Sequence, residues 1–308
     1  MKRARRKAMG IFSVLQDAWR KNGPELRGLT NGAIAEFVTA QRPADVLDGV
    51  PVFCFHLVET GQFEADLAFL ARNGYQTIRG QDLLDHLNGR RLLPDRSILL
   101  TFDDGPRNFH DVAYPLLVQY RAHAVAFIAP GLHACAADEE DTDARPMTWE
   151  EIRKIHESGL VEFQSHTLES RFVPDWPAPA ALAGCKPAIE NPRRGVPLPL
   201  REDLARSRSL IEARLPDALV HQLAFPMYVG NEHAIAEARS IGIDACYWGL
   251  LPGRSLNRPG DSPFHISRMS EEFLRRLPGE GRITTRKLLQ TRMNRIRAAR
   301  AWRHEFAG

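Results

Sequence analysis

The apolar run Ile98-Leu99-Leu100-Thr101-Phe102 leads directly into Asp103-Asp104-Gly105-Pro106, so a stretch with the composition of a buried strand ends on two adjacent carboxylates and a turn. Side chains alternate faces along a strand, and neighbouring aspartates can serve one site only where the strand stops. Gly105-Pro106 supplies that stop. Two carboxylates held close resist joint ionisation unless a cation binds one of them, which leaves the other free to act as a general base. A solvated turn or a helix N-cap uses the same residue types, so the pair gains weight only from a second group that could share its site. Leu160-Val161-Glu162-Phe163-Gln164-Ser165-His166-Thr167 reads as a second short strand with a histidine at its polar end. A carboxylate from one strand tip and a neutral imidazole from another are a usual donor pair for a divalent transition metal such as zinc, with water completing the coordination.

With these residues in place, the chain resembles the polysaccharide deacetylase family, the NodB-homology carbohydrate esterases, across about residues 50–270, and most closely its poly-N-acetylglucosamine deacetylase branch. Pro51-Val52-Phe53-Cys54-Phe55-His56 is similar to that branch's opening strand, and residues 61–75 to its first helix and second strand. Thr101 to Gly105, Met147-Thr148-Trp149 and Phe163 to Thr167 come in the family's order. Ala224-Phe225-Pro226-Met227 stands at an Ala-Tyr-Pro-Tyr-like element, and Pro263 to Arg268 resembles the closing strand. The resemblance implies that Asp103 is the general base, that Asp104 and His166 bind the catalytic metal, and that His56 lies beside them as a catalytic residue. It also implies that the loop of Pro226 and Met227 meets the substrate, the Met227 N–H facing the oxyanion. The implied cofactor is a divalent ion, zinc first and cobalt or nickel next. The implied activity is removal of an N-acetyl or similar acyl group from an amino sugar or related carbohydrate.

Three departures accompany the resemblance. The family's second metal-binding histidine, four residues after the first, is Ser170 here, leaving Glu169, His110, His56 or a water to fill its place. The arginine that orients the base is absent ahead of Pro226, where Leu223-Ala224-Phe225 stands, and the closing histidine has only His265 near it. These gaps keep a second reading open, a catalytically degenerate carbohydrate-binding or scaffolding member of the same fold. Phosphoryl transfer by an aspartate nucleophile is a weaker rival, because that chemistry usually spaces its two aspartates by one residue.

The elements that must position these groups share one plan. Helical spacing of apolar residues over 63–73 and 82–88, a buried strand at Ala124 to Ile128, and a capping box from Thr148 to Glu151 give strand then helix repeatedly. That alternation predicts a parallel sheet with helical crossovers. Together with the resemblance it gives an α/β fold, a distorted (β/α) barrel of the NodB-homology type with helical N- and C-terminal extensions. The boundaries are 1–48 for a helical N-terminal extension, 49–281 for the deacetylase barrel and 282–308 for a basic C-terminal helix. Proline-rich residues 172–200, with Trp176, Arg193 and Arg194, read as a long loop, either a wall that shapes the substrate site or a mobile spacer.

The 308 residues carry a formal net charge of +3, with basic residues crowded at both ends. The apolar run after the basic start is short for a secretory leader, and no stretch approaches the roughly 20 apolar residues of a membrane span. Cytoplasmic residence is expected, with peripheral contact between the basic termini and anionic membrane as the sharper alternative. Four widely spaced cysteines without a Cys-x-x-Cys pair read as small buried hydrophobes. Nucleic-acid binding is not expected, since the basic ends lack interleaved aromatic residues.

Overall fold

A computed structural model describes residues 23, 25–29, 34–133, 142–171, 173 and 198–292. Its strands are β1 (Val52–Phe55), β2 (Gln76–Thr77), β3 (Ser97–Asp104), β4 (Ala124–Ile128), β5 (Val161–Ser165), β6 (Gln222–Ala224), β7 (Ala245–Tyr247) and β8 (Met269–Ser270). They form one curled sheet in the order β7-β6-β5-β4-β3-β1-β8, with β2 added beside β3. The pairings between these strands are all parallel. The central strands are buried along their length, as parallel strands covered on both faces must be.

The two faces separate by parity. Val52, Leu99, Val125, Phe127, Ala224, Ala245, Tyr247 and Ile266 pack together inside the curl, joined by Leu83, Leu84 and Leu87 of helix Gly80–Leu87. Phe53, Phe55, Ile98, Leu100, Phe102, Ala126 and Ile128 point the other way, onto helices Thr60–Arg72 and Tyr114–Tyr120. Leu223, Phe225 and Cys246 meet helices Leu200–Arg214 and Glu232–Ser240. The curl closes through one short segment. Ile266 bridges Tyr247 of β7, while Met269 and Ser270 pair with Phe53 and Cys54 of β1. Residues 266–270 are therefore the seam between the two ends of the sheet, and alternation from Ile266 turns Arg268 inward.

Helix Trp149–His156 starts with the expected capping box, in which Thr148 N–H donates to Glu151 Oε2 at 2.7 Å and Glu151 N–H to Thr148 Oγ1 at 3.3 Å. The terminal segments join the barrel core. Phe37 and Val38 belong to its main apolar cluster, and the Arg276 guanidinium donates to Val38 O at 2.7 Å and Ala40 O at 2.8 Å. Helix over 285–292 is the described part of the C-terminal segment. The basic run at residues 2–7, residues 293–308, Trp176, Arg193, Arg194, Cys135 and Cys185 lie outside the described residues. Cys54 and Cys246 are buried free thiols. No helix among the described residues is long and apolar enough to cross a membrane.

Inside the barrel, opposite the strand tips, helix Gly80–Leu87 brings its start against Glu162 and Gln222. A Cβ at Gly80 would fall 2.7 Å from Gln222 Oε1 and 2.8 Å from Glu162 Oε2, so a larger residue would push these side chains aside. Burial pushes the Glu162 carboxyl up to about 7, against the pull of Arg79, the Gly80 N–H and Gln222. The native state then holds a proton that the unfolded chain releases near pH 4.5, so this group's contribution to stability falls as pH rises from 4.5 to about 7. Glu162→Gln should flatten the decline in unfolding free energy over that window by up to about 1.4 kcal/mol per pH unit. Urea unfolding at pH 5, 6 and 7 measures it.

Candidate active site

Asp103 occupies the last inward position of β3 and is 1% exposed. Arg268 reaches it from the seam, Nη1 donating to Oδ1 at 2.7 Å and Nη2 to Oδ2 at 3.0 Å. The Cys54 thiol adds a longer contact to Oδ2 at 3.4 Å. Arg268 is itself held on every side. Its Nε donates to Trp248 O at 3.0 Å and Nη1 also faces Thr101 Oγ1 at 3.4 Å, while its plane lies near the rings of Tyr228 and Phe127. Burial alone would push the Asp103 carboxyl up. The Arg268 charge and hydrogen bonds, with His166 and His56 adding, together outweigh it and hold the group well below the usual carboxylate range. Asp103 is therefore a buried, ionised carboxylate.

Asp104 takes the opposite character. Its φ of +69° lies in the left-handed region, followed by Gly105 at +63°. That backbone turn lets a residue whose side chain should point away from Asp103 swing to the same mouth. Gly105 is required there, because a Cβ would meet Ile128 Cγ2 at 2.7 Å and the His133 ring at 2.9 Å. The Asp104 side chain is 48% exposed, and its Oδ1 lies 3.6 Å from His166 Nε2. His166 is anchored by its N–H to Ile128 O at 2.8 Å and by Nδ1 to Ala224 O at 2.9 Å. A carbonyl only accepts, so Nδ1 carries a proton, and Nε2 is the ring atom that faces Asp104. Two donors about 2.0–2.1 Å from one tetrahedral ion lie about 3.3 Å apart, so this pair fits a divalent metal with little adjustment. The carbonyl-anchored imidazole is also the usual arrangement behind a metal-binding histidine.

Ser170 sits next to this pair and donates from Oγ to Asp104 Oδ1 at 3.1 Å. The other groups expected to replace the missing ligand are engaged elsewhere, His110 with Asp111 at 2.6 Å and Glu169 with Arg171. His56 is half-buried at the end of β1, its ring edge-on to Tyr228. Cys54, His56 and Asp103 each offer a ligand atom within 4.8 Å of the others, a second place where an ion could be imagined. Pro226 opens a tight turn closed by Tyr228 N–H to Phe225 O and Val229 N–H to Pro226 O, which leaves the Met227 N–H outside the turn's own bonds. Met227 and Tyr228 are left-handed, as are Thr167 and Ser170 on the facing loop. Left-handed backbone at non-glycine residues, a β-branched threonine included, is strain of the kind that gathers at functional sites.

The structure thus brings Asp103, Asp104, His56 and His166 to the strand tips, as read from the sequence. It leaves His265 apart from them, stacked on Trp248 and facing Glu232 at 3.4 Å. The arginine missing ahead of Pro226 has a substitute, since Arg268 pairs with Asp103 from the closing strand. Ile266 and Arg268 share a face, and that spacing was the available signal. Cys54 is buried as expected, yet it touches Asp103 rather than merely filling space. His133 is a further group that no sequence pattern singled out. Its Nδ1 donates to Met147 O at 2.7 Å, its Nε2 finds no partner among the described residues, and burial pulls its pKa down to about 4.

The sequence profile of the polysaccharide deacetylase family matches residues 91–246. The chain is 29% identical over 125 residues to the poly-β-1,6-N-acetyl-D-glucosamine N-deacetylase of Escherichia coli K12, covering 38% of this chain and 19% of that protein. It is 27% identical over 110 residues to the protein of the same name from Staphylococcus aureus N315, covering 36% and 37%. The chain therefore spans well under half the length of these two relatives. The solved de-N-acetylase of Aggregatibacter actinomycetemcomitans superposes with a TM-score of 0.57 at 23% identity, over 72% of this chain and 94% of that one. IcaB from Ammonifex degensii gives 0.57 at 24% identity, over 73% and 92%. These likenesses bear out the barrel expected from the sequence.

Removing Arg268 should be costly, because it leaves a buried charge without its partner. Arg268→Gln is expected to lose about 3–5 kcal/mol at neutral pH. The pair's stabilisation is present above the ordinary carboxylate pKa and is lost as pH falls toward the lowered native value, so the deficit should shrink on acidification. Urea unfolding of both proteins between pH 7 and pH 2 tests this, and a deficit that does not shrink below pH 4 would contradict it.

Proposed function

Because the chain belongs to the polysaccharide deacetylase family, we propose that it is a metal-dependent hydrolase that removes an N-acetyl or similar acyl group from an amino sugar in a carbohydrate. The observation that carries the reading is an ionised, buried Asp103 beside the Asp104 and His166 donor pair. A divalent ion, zinc first and cobalt or nickel next, would be held by Asp104 and His166 and would supply Lewis acidity at the reacting acyl group. The Cys54, His56 and Asp103 trio is the poorer holder. Both Asp103 oxygens already meet the Arg268 guanidinium, and burial pushes the Cys54 thiol far above its ordinary range.

In this reading Asp103 accepts a proton from the attacking water as its oxygen adds to the amide carbonyl carbon. Negative charge then develops on the former carbonyl oxygen, where the Met227 N–H can donate, and one such donor is typically worth on the order of a hundredfold in rate. His56 faces the same mouth from β1 and can protonate the leaving amine as the carbon–nitrogen bond breaks, giving the free amine and acetate. Pro226 fixes the loop that presents Met227. Ser170 in place of an imidazole leaves two protein donors and favours loose retention of the ion. That feature is also what keeps the degenerate, carbohydrate-binding reading as the rival.

Acetate release from N-acetylglucosamine oligomers, assayed with added zinc, cobalt or nickel, tests the proposal; no release with any of these ions would sink it. Asp103→Asn should lower kcat by about a hundredfold to ten-thousandfold while ion stoichiometry stays unchanged. Ser170→His should tighten zinc binding, measured by competition with a chromophoric chelator, by about tenfold or more.

A further inference from the structure

The seam that delivers Arg268 is held from outside the barrel. Strand β8 is only two residues long, and Ser270 pairs with Cys54, the residue whose thiol meets Asp103. Ser270 also donates twice to a residue far away in sequence. Its N–H reaches Glu25 Oε1 at 2.8 Å, and its Oγ lies 2.8 Å from Oε1 and 2.9 Å from Oε2. Glu25 is 5% exposed and lies in the helical stretch over 25–29, well before the family match begins. Its charge is met by Arg292 Nη2 at 2.6 Å, from the C-terminal helix, and Arg292 also faces Glu272 at 3.8 Å. The two ends of the described chain therefore meet at Glu25, and Glu25 in turn holds Ser270 of β8, two positions from the guanidinium that holds Asp103.

We infer that Glu25 is a positioning residue for Asp103, acting through Ser270 and the seam to fix Arg268, so that the N-terminal segment is part of the catalytic unit. The inference rests on the deacetylase reading for its effect on rate. A two-residue strand offers few ladder bonds to resist displacement of a long buried side chain. Asn257 and Gly249 hold the backbone of Ser267 and Arg268 on the upstream side, and the Glu25 carboxylate adds the restraint on the downstream side, accepting from both the backbone and the hydroxyl of Ser270. A displacement of about 1 Å in a reacting group costs on the order of a hundredfold in rate.

The test uses the full chain with Glu25→Ala, and with Ser270→Ala as the milder variant that keeps the backbone donor. Two readouts are needed, kcat and KM on N-acetylglucosamine oligomers and amide hydrogen exchange over residues 266–270. The expected result for Glu25→Ala is a kcat lower by about tenfold to a hundredfold with KM within about twofold, and faster exchange across the seam. Ser270→Ala should show the same pattern at about threefold in kcat, and it decides the matter if Glu25→Ala does not fold. Unchanged exchange over 266–270 overturns the inference. So does faster exchange with an unaltered kcat, which would make Glu25 merely structural. If the wild-type chain releases no acetate, the deacetylase reading falls, and exchange over 266–270 alone then decides whether Glu25 holds the seam.

Discussion

A carboxylate and a guanidinium sealed from solvent attract each other strongly, but each loses its hydration on entering the protein, and the balance is favourable only when geometry and remaining hydrogen bonds are both good. Asp103 and Arg268 meet those terms. The pair is bidentate, Arg268 spends its Nε on Trp248 O, and Thr101 and two ring faces line the rest of its surface. The barrel has to be closed for any of this to exist. Arg268 lies between Ile266, bridged to β7, and Met269, paired with β1, so the guanidinium arrives only when the two ends of the sheet meet. Closure of the fold thus delivers the partner that keeps the base ionised once it is buried.

The second constraint is backbone strain at the strand tips. Alternation would send Asp104 to the outer, helix-covered face that Phe102 occupies, where a carboxylate has no place. A left-handed φ at Asp104, relaxed by Gly105, turns it instead to the mouth of the barrel beside His166. Thr167, Ser170, Met227 and Tyr228 adopt the same backbone region on the facing loops. Parallel barrels place their working groups at the C-terminal ends of strands because the turns there can be deformed without disturbing the packed layer below. Here the deformed turns also deliver the Met227 N–H, which lies outside its turn's own bonds, and the hydroxyl of Ser170.

The legible part of the site was the part carried by short segments. His56 and the Asp103-Asp104 pair close apolar runs and His166 stands at the polar end of a short strand, so a strand ending on a polar group told both the element and its exposed end. Arg268 stands in the sequence as the last residue of the closing strand, yet its role depends on which strands become neighbours across the seam, and no local pattern states that. Cys54 reads from its type as an inert hydrophobe, and its contact with Asp103 comes from the pairing of β1 with β3. The terminal segment shows the same limit. Phe37 and Val38 are too few to announce a core position by period, and Arg276, which satisfies the carbonyls of Val38 and Ala40, is separated from them by more than two hundred residues.

The same pair that keeps Asp103 ionised makes it a reluctant proton acceptor. A general base works best with a pKa near the operating pH, and Arg268 holds Asp103 far below that. In the proposed reading, catalysis by this carboxylate would therefore need an unusually acidic water, and a divalent ion held by Asp104 and His166 would supply that acidity. In that reading a serine in place of a third protein donor would lower affinity for the ion and leave it less neutralised, so that it would polarise water more strongly. Ser170 would then be the counterpart of Arg268, a loosely held ion set against a weak base.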